Sequence, residues 1–309
     1  MFDDIIGNDK VKEILSNAIK TNNILHSYLF VGTEGIGKSI IAKKFAKMIL
    51  CVNKDKETCN NTCEACVKFD NNNNPDFEFI KPDGNNMKID QIREMNSKVM
   101  EKPIISGKKV YIIDDSEKMT KEAQNSLLKT LEEPPQYVVI ILICSKENYL
   151  LNTIKSRCTK IVFDNLSNEE INNYLRKNNY EILDNNFLNL SQGSIKRALQ
   201  VISNKELYEN LEDLVNNIKT VNKIEFINNN KFLYKEKEKI DEILEYINVL
   251  IYNQMKSSIE DRLKYINCIN IVEDTKKRLK ANSNYDMCID NLLFGIWEEF
   301  NEKHSRSKI

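Results

Sequence analysis

The chain has 309 residues, 41% hydrophobic and 29% charged, which fits a globular protein of two or three domains with buried cores. Lys plus Arg number 45 against 46 for Asp plus Glu, for a net charge of -1, which excludes a chain coated throughout with positive charge, as a free-standing nucleic-acid coat would be. The longest apolar stretch, Val138–Cys144, is far short of the ~20 residues that cross a bilayer, and the opening MFDDIIGNDK lacks a signal peptide's basic-then-apolar pattern, so a cytoplasmic chain with no membrane partner is expected.

Between residues 28 and 163, short β-rich runs alternate with amphipathic segments. The first run, 28–31, leads into Gly32-Thr33-Glu34-Gly35-Ile36-Gly37-Lys38-Ser39, a complete G-x4-G-K-[ST] motif, and then into a helical stretch at 40–50. Strand, glycine-rich turn and helix in that order are the context in which this motif cradles phosphates. Glycines let the backbone N–H groups face the ligand, and the helix N-terminus adds a favourable dipole. Lys38 then reaches the β- and γ-phosphates, and Ser39 supplies a Mg²⁺ ligand.

The next segment holds Cys51, Cys59, Cys63 and Cys66, spaced C-x7-C-x3-C-x2-C. In a chain expected to be cytosolic its cysteines stay reduced, and four thiolates make the complete tetrahedral set of a structural Zn²⁺. A zinc module at 51–66 is therefore expected, stapling a loop rich in Asn and Lys that has little core of its own. Cys144, Cys158, Cys268 and Cys288 sit in apolar patterns and read as packing residues. The four asparagines at 71–74 read as loop sequence.

Strands are expected at 77–80, 110–113, 138–143 and 161–163, with helices at 89–100 and 121–133. Such short apolar runs suit strands buried on both faces of a parallel sheet. The run 110–113 ends in Asp114-Asp115, which places a carboxylate where Mg²⁺ beside the phosphate loop requires one. After Asp164 the pattern changes. Ser167, followed by Glu169 and Glu170, caps a short helix reaching about Lys177, and further short helices run to about Ser203. From Glu206 onward there is one glycine, Gly295, and no proline, and long helical patterns indicate a bundle.

The stretch NSLLKTLEEPP at 125–135, then Ser156-Arg157-Cys158, together with Ile5-Ile6-Gly7 and His26-Ser27-Tyr28-Leu29-Phe30, resembles the AAA+ subunits of bacterial clamp loaders and their replication factor C relatives. The resemblance covers residues 1 to about 200, several independent motifs standing in the family's order. It implies a RecA-like parallel sheet with the zinc excursion over 1–163, a small helical lid over 164–204 and an all-helical collar, for oligomerisation, over 205–309. It also implies nucleotide sites between the subunits of a five-membered ring. In that setting Arg157 is the arginine finger that reaches a neighbour's site in trans, Ser145 stands at the sensor position after the strand at 138–143, and Lys196 stands at the lid's sensor position. The resemblance also sets a helix near here against the template backbone, so Lys88, Arg93 and Lys98, at and along the helix at 89–100, read either as DNA-facing charges or as a solvated helix face.

Three departures bear on which subunit type the chain resembles. Asp115 stands where the family's active ATPases usually carry a water-polarising Glu, and a carboxylate displaced by about 1 Å costs on the order of 100-fold. Lys196 takes the place of an Arg, with Arg197 next door, and a point charge replaces a planar fork. The chain also stops soon after the collar. Together these favour the delta-prime type of the DNA polymerase III clamp loader. Such a subunit binds ATP and Mg²⁺, donates Arg157, and works with gamma/tau and delta in a hetero-pentamer that loads the sliding clamp onto primed DNA. A gamma/tau-type motor ATPase is the alternative, and a general AAA+ remodeller is the reading from another class. No polymerase carboxylate constellation is present in the sequence.

Overall fold

The computed structural model describes residues 1–53, 61–183 and 185–301. They form two compact units, Met1–Leu199 and Gln200–Ile309.

The first unit is built on five parallel strands: β1 (Ser27–Val31), β2 (Phe77–Ile80), β3 (Lys109–Ile113), β4 (Val138–Cys144) and β5 (Thr159–Val162), in the order β2-β3-β4-β1-β5. All seven residues of β4 are buried, as befits a central strand covered on both faces. Alternate residues feed two cores. Tyr28, Phe30, Val110, Ile112, Val139 and Ile141 meet α1 (Asp9–Lys20) and α2 (Lys38–Leu50) through Leu15, Ile41 and Phe45. Leu29, Tyr111, Ile113, Val138, Ile140 and Leu142 lie in the opposite core, which contains Ile92, Met95 and Leu127. Those three belong to α4 (Ile89–Val99) and α5 (Lys121–Glu132), and α3 (Glu64–Asp70) precedes β2.

Two elements differ from the sequence expectation. Strand β5 begins at Thr159, two residues earlier than its apolar run, because an edge strand leaves Thr159 and Lys160 exposed. Helix α3 forms within the cysteine segment, where only a metal-held loop was expected.

Local chemistry sets the ends of the helices that matter for function. Thr120 Oγ1 accepts the Ala123 N–H at 3.2 Å and starts α5. Pro134 follows Glu133 and stops it, since the residue before a proline is pushed out of helical geometry. After β5, a capping box opens α7 (Asn168–Lys177). Ser167 Oγ accepts from Glu170 N at 3.2 Å, and Glu170 Oε2 accepts from Ser167 N at 2.7 Å. Then come α8 (Asn185–Ser191) and α9 (Ile195–Ser203), with α6 (Asn152–Lys155) lying between β4 and β5.

The second unit consists of helices: α10 (Lys205–Asn216), α11 (Lys223–Asn229), α12 (Ile240–Ser257), α13 (Arg262–Lys280) and α14 (Tyr285–Asn301), with short 3-10 turns between α11 and α12. Its core gathers Leu211, Leu214, Ile243, Leu244, Ile247, Val272, Ile289, Leu292 and Ile296, all buried. Trp297 Nε1 donates to Val221 O at 2.9 Å, which satisfies the indole as its ring is packed. Among the described residues, no helix is long and apolar enough to cross a membrane.

Candidate nucleotide-binding site

The sheet order places the C-terminal ends of β1, β4 and β3 side by side, the edge at which open parallel α/β sheets bind ligands. The turn after β1 carries residues 32–39. Gly35 and Gly37 have φ of +80° and +95°, a region that L side chains rarely adopt. At Gly35 the space is also closed: a Cβ there would lie 2.4 Å from both Lys196 Cβ and Ser194 Oγ. The α9 backbone docks on this turn, with Ile195 N and Lys196 N donating to Gly35 O at 3.1 and 3.4 Å. A loop carbonyl thus satisfies N–H groups that the start of a helix otherwise leaves unpaired.

Lys38 is 5% exposed, and its ammonium is satisfied by Gly32 O at 2.5 Å, Thr33 O at 2.8 Å and Ser145 Oγ at 3.1 Å. Burial holds its pKa below the usual lysine range, opposed chiefly by the negative charge of Glu117. Ser39 Oγ donates to both oxygens of Asp114, at 3.0 and 3.1 Å, so the hydroxyl and carboxylate expected at Mg²⁺ already face one another. Ile36 is buried beneath the loop. The loop's Glu34 carboxylate pairs with Lys196 Nζ at 2.5 Å, and both groups are more than half exposed. Arg197 turns elsewhere, to Gln192 Oε1 at 2.6 Å, so the lysine rather than the arginine stands at the loop.

The two acidic residues after β3 part company. Asp114 stays with Ser39, whereas Asp115 adopts a left-handed backbone (φ 48°) and its carboxylate binds Lys118 Nζ at 2.8 Å. That ion pair raises the pKa of Lys118. A third carboxylate, absent from the sequence reading, enters instead. Glu117 Oε1 accepts the Ser145 N–H at 3.0 Å, and its Oε2 is buried without a hydrogen-bond partner among the described residues. Only the 3-10 turn at Ser116–Lys118 folds it back to the end of β4, which no local sequence signal announces. Gln124 was missed as well. Its Nε2 donates to Met119 O and Tyr149 O, each at 3.1 Å, and its Oε1 accepts from Leu151 N at 2.8 Å, so one buried side chain joins α5 to the segments after β3 and β4.

Arg157 is held by residues of α5 and α6. Its guanidinium pairs with Glu132 Oε1 at 2.6 Å and donates to Thr153 O at 2.8 Å. On α4, Arg93 pairs with Asp90 at 3.6 Å, and Lys98 pairs with Glu94 at 2.8 Å and Glu78 at 3.1 Å. Two of the three charges read as DNA-facing are therefore internally matched.

The thiols of Cys51, Cys63 and Cys66 all lie within 4.8 Å of one another. Cys51 ends α2, Cys63 caps α3, and Cys66 lies within that helix. Cys59 lies outside the described residues. Three converging thiols at the junction of two helices are the donor type and arrangement that Zn²⁺ takes. Burial pushes the Cys144 thiol up to about 12, Cys158 to about 11 and Cys268 to about 12, which keeps them protonated packing groups.

A five-stranded parallel sheet with this loop after β1, an acidic pair after β3, and a helical segment docked on the loop defines the AAA+ class. The family model described as "DNA polymerase III, delta subunit" matches residues 7–167, just over half of the chain, and the chain belongs to that family of DNA polymerase III clamp-loader subunits. The DNA polymerase III subunit delta' of Bacillus subtilis is 28% identical over 94% of this chain and 96% of its own length. The gamma/tau subunit of Mycoplasma pneumoniae is 36% identical, but over 65% of this chain, which spans 30% of that longer protein. Among solved structures, a gamma subunit-related protein from Thermotoga maritima shares the fold with a TM-score of 0.54 and 19% identity, covering 93% of this chain and 99% of that one.

Proposed function

We propose that this chain is the delta-prime subunit of the clamp loader, a cytoplasmic protein that joins gamma/tau and delta subunits in a hetero-pentamer and helps place the sliding clamp on primed DNA. The observation that carries the reading is the similarity to the delta' subunit along nearly the whole of both chains. Two features of the site agree with it: Asp115 is engaged by Lys118, and Lys196 stands where a planar guanidinium would grip phosphate more firmly.

In this reading, residues 164–204 are the lid over the nucleotide and residues 205–309 are the collar that holds the ring. Lys38 exchanges its carbonyl partners for the β- and γ-phosphates of ATP. Ser39 and Asp114 hold Mg²⁺, which when bound neutralises phosphate charge. Ser145 stands at the γ-phosphate end. Lys196 leaves Glu34 for the nucleotide, and Arg157 serves the site of the adjacent subunit. Cys51, Cys63 and Cys66, with Cys59, hold Zn²⁺ as a structural staple. The higher identity to a gamma/tau subunit, 36% over 65% of the chain, favours a second reading, a motor ATPase.

Steady-state ATP hydrolysis separates the two readings. The chain is assayed alone and then mixed with gamma/tau and delta subunits and clamp, the unsubstituted protein beside Arg157→Ala. The delta-prime reading expects little turnover by the chain alone and a loss of clamp-stimulated turnover in the Arg157→Ala mixture. Brisk hydrolysis by the chain alone, with the mixture indifferent to Arg157→Ala, establishes the motor instead.

A further inference from the structure

Glu132 is the last residue of α5, where a carboxylate meets the negative end of the helix dipole and is disfavoured. Its position is nonetheless fixed closely. Pro134 and Pro135 end the helix just beyond it, and Pro135 O accepts from Val138 N at 2.9 Å, which leads directly into β4. The carboxylate is directed at Arg157, with Oε1 at 2.6 Å from the guanidinium. The side chains of the pair are 33% and 48% exposed, and ion pairs this open contribute little to stability. The contact is therefore poorly explained as a means of holding the fold together.

Its geometry suits positioning. Arg157 is fixed at its backbone, where Arg157 N donates to Ile154 O at 3.0 Å and Ser27 Oγ donates to Arg157 O at 2.7 Å. The side chain is fixed at two more points, one nitrogen on Thr153 O and the other on Glu132. A guanidinium carries five N–H donors in a planar fork, so two anchored nitrogens set the plane while further donors stay available to an anion. Without Glu132 the long side chain has one anchor fewer and regains rotamer freedom that must be lost again at each encounter.

We propose that Glu132 is the positioning residue of Arg157, setting the plane of the guanidinium that this subunit presents to a triphosphate bound by its neighbour. The proposal rests on the reading of Arg157 as a finger acting in trans. It also gives a role to the first glutamate of NSLLKTLEEPP, whereas Glu133, one residue on, lies outside the helix.

The test is clamp- and primed-DNA-stimulated ATP turnover by the complete reconstituted loader carrying Glu132→Ala, Glu132→Gln, Glu133→Ala, Arg157→Ala or the Glu132→Ala/Arg157→Ala pair, with gel filtration to confirm assembly. Glu132→Ala is expected to lower kcat by about 10- to 100-fold with KM for ATP unchanged, the scale of a misplaced reacting group. Glu132→Gln keeps an acceptor at the same reach and recovers much of the loss, and Glu133→Ala behaves as the unsubstituted protein. The pair is no slower than Arg157→Ala alone, because the carboxylate acts only through the arginine. If Arg157→Ala is slow while Glu132→Ala turns over normally or faster, the positioning role is overturned and the finger stands. If Arg157→Ala itself turns over normally, the finger reading falls and the positioning role falls with it.

Discussion

Lys38 is a cation taken out of water and kept charged by what surrounds it: two loop carbonyls, the Ser145 hydroxyl, and the negative field of Glu117. Glu117 affects this site in two opposing ways. It supports the charge on Lys38 and fixes the end of β4 through the Ser145 N–H, yet its second oxygen is buried without a hydrogen-bond partner among the described residues, and in the proposed reading phosphate oxygens would gather nearby. Glu117→Gln keeps an acceptor for Ser145 N and removes the charge. Like charges 4 Å apart near a protein surface cost up to about 4 kcal/mol; even a third of that, about 1.4 kcal/mol, is tenfold in affinity. Equilibrium titration with a fluorescent ATP analogue is therefore expected to give about tenfold tighter binding for Glu117→Gln. An unchanged or weaker Kd means that the carboxylate acts only on Lys38 and Ser145.

Helices α2 and α3 show how a short element can depend on chemistry outside its own sequence. Helix α3 has seven residues, below the length at which a helix persists on propensity alone, and buries only Ala65 and Cys66. The three converging thiols join it to the end of α2. Zn²⁺ there is expected at one per chain by metal analysis. Cys66→Ala or chelation removes it and destabilises the 199-residue first unit, each kcal/mol lost lowering its melting temperature by ~2–4 °C. Equal melting with and without metal overturns the staple. The contrast between α3 and α5 also shows where the sequence could be read. The capping Thr120, the apolar spacing and Pro134 lie in one continuous stretch and delimit α5 to within a residue. The strands ending at Val31, Ile113 and Cys144 announce themselves by apolar runs, and the phosphate loop by its spacing. Helix α1 carries a pattern equally legible in the sequence, Val11, Leu15 and Ile19 at four-residue steps. Glu117, Gln124 and Glu132 were not legible, because their partners lie 25 to 28 residues away for the contacts with Ser145, Tyr149, Leu151 and Arg157, or face a backbone group that carries no sequence signature.

The whole molecule is nearly neutral, and this bears on the DNA contact that the delta-prime reading expects. Binding to duplex or single strands without sequence preference draws on phosphate neutralisation by Lys and Arg, with a salt dependence set by the number of contacts. Here 45 basic residues face 46 acidic ones, and on α4 both Arg93 and Lys98 are matched by carboxylates of the same chain. Breaking such pairs to reach a phosphate exchanges one ion pair for another and gains little. In the delta-prime reading, a surface that tracks a DNA backbone is then assembled from several subunits, each contributing few net charges. The isolated chain is expected to bind labelled primer–template DNA no more tightly than ~100 µM at physiological salt, the weak end of non-specific association. Tight, ATP-dependent binding is expected only after the partner subunits are added. Fluorescence anisotropy at 50 and 200 mM salt checks both parts. Submicromolar binding by the chain alone, falling steeply with salt, would show that α4 or another face exposes a basic track of its own, and the assembled ring would no longer be needed to explain DNA contact.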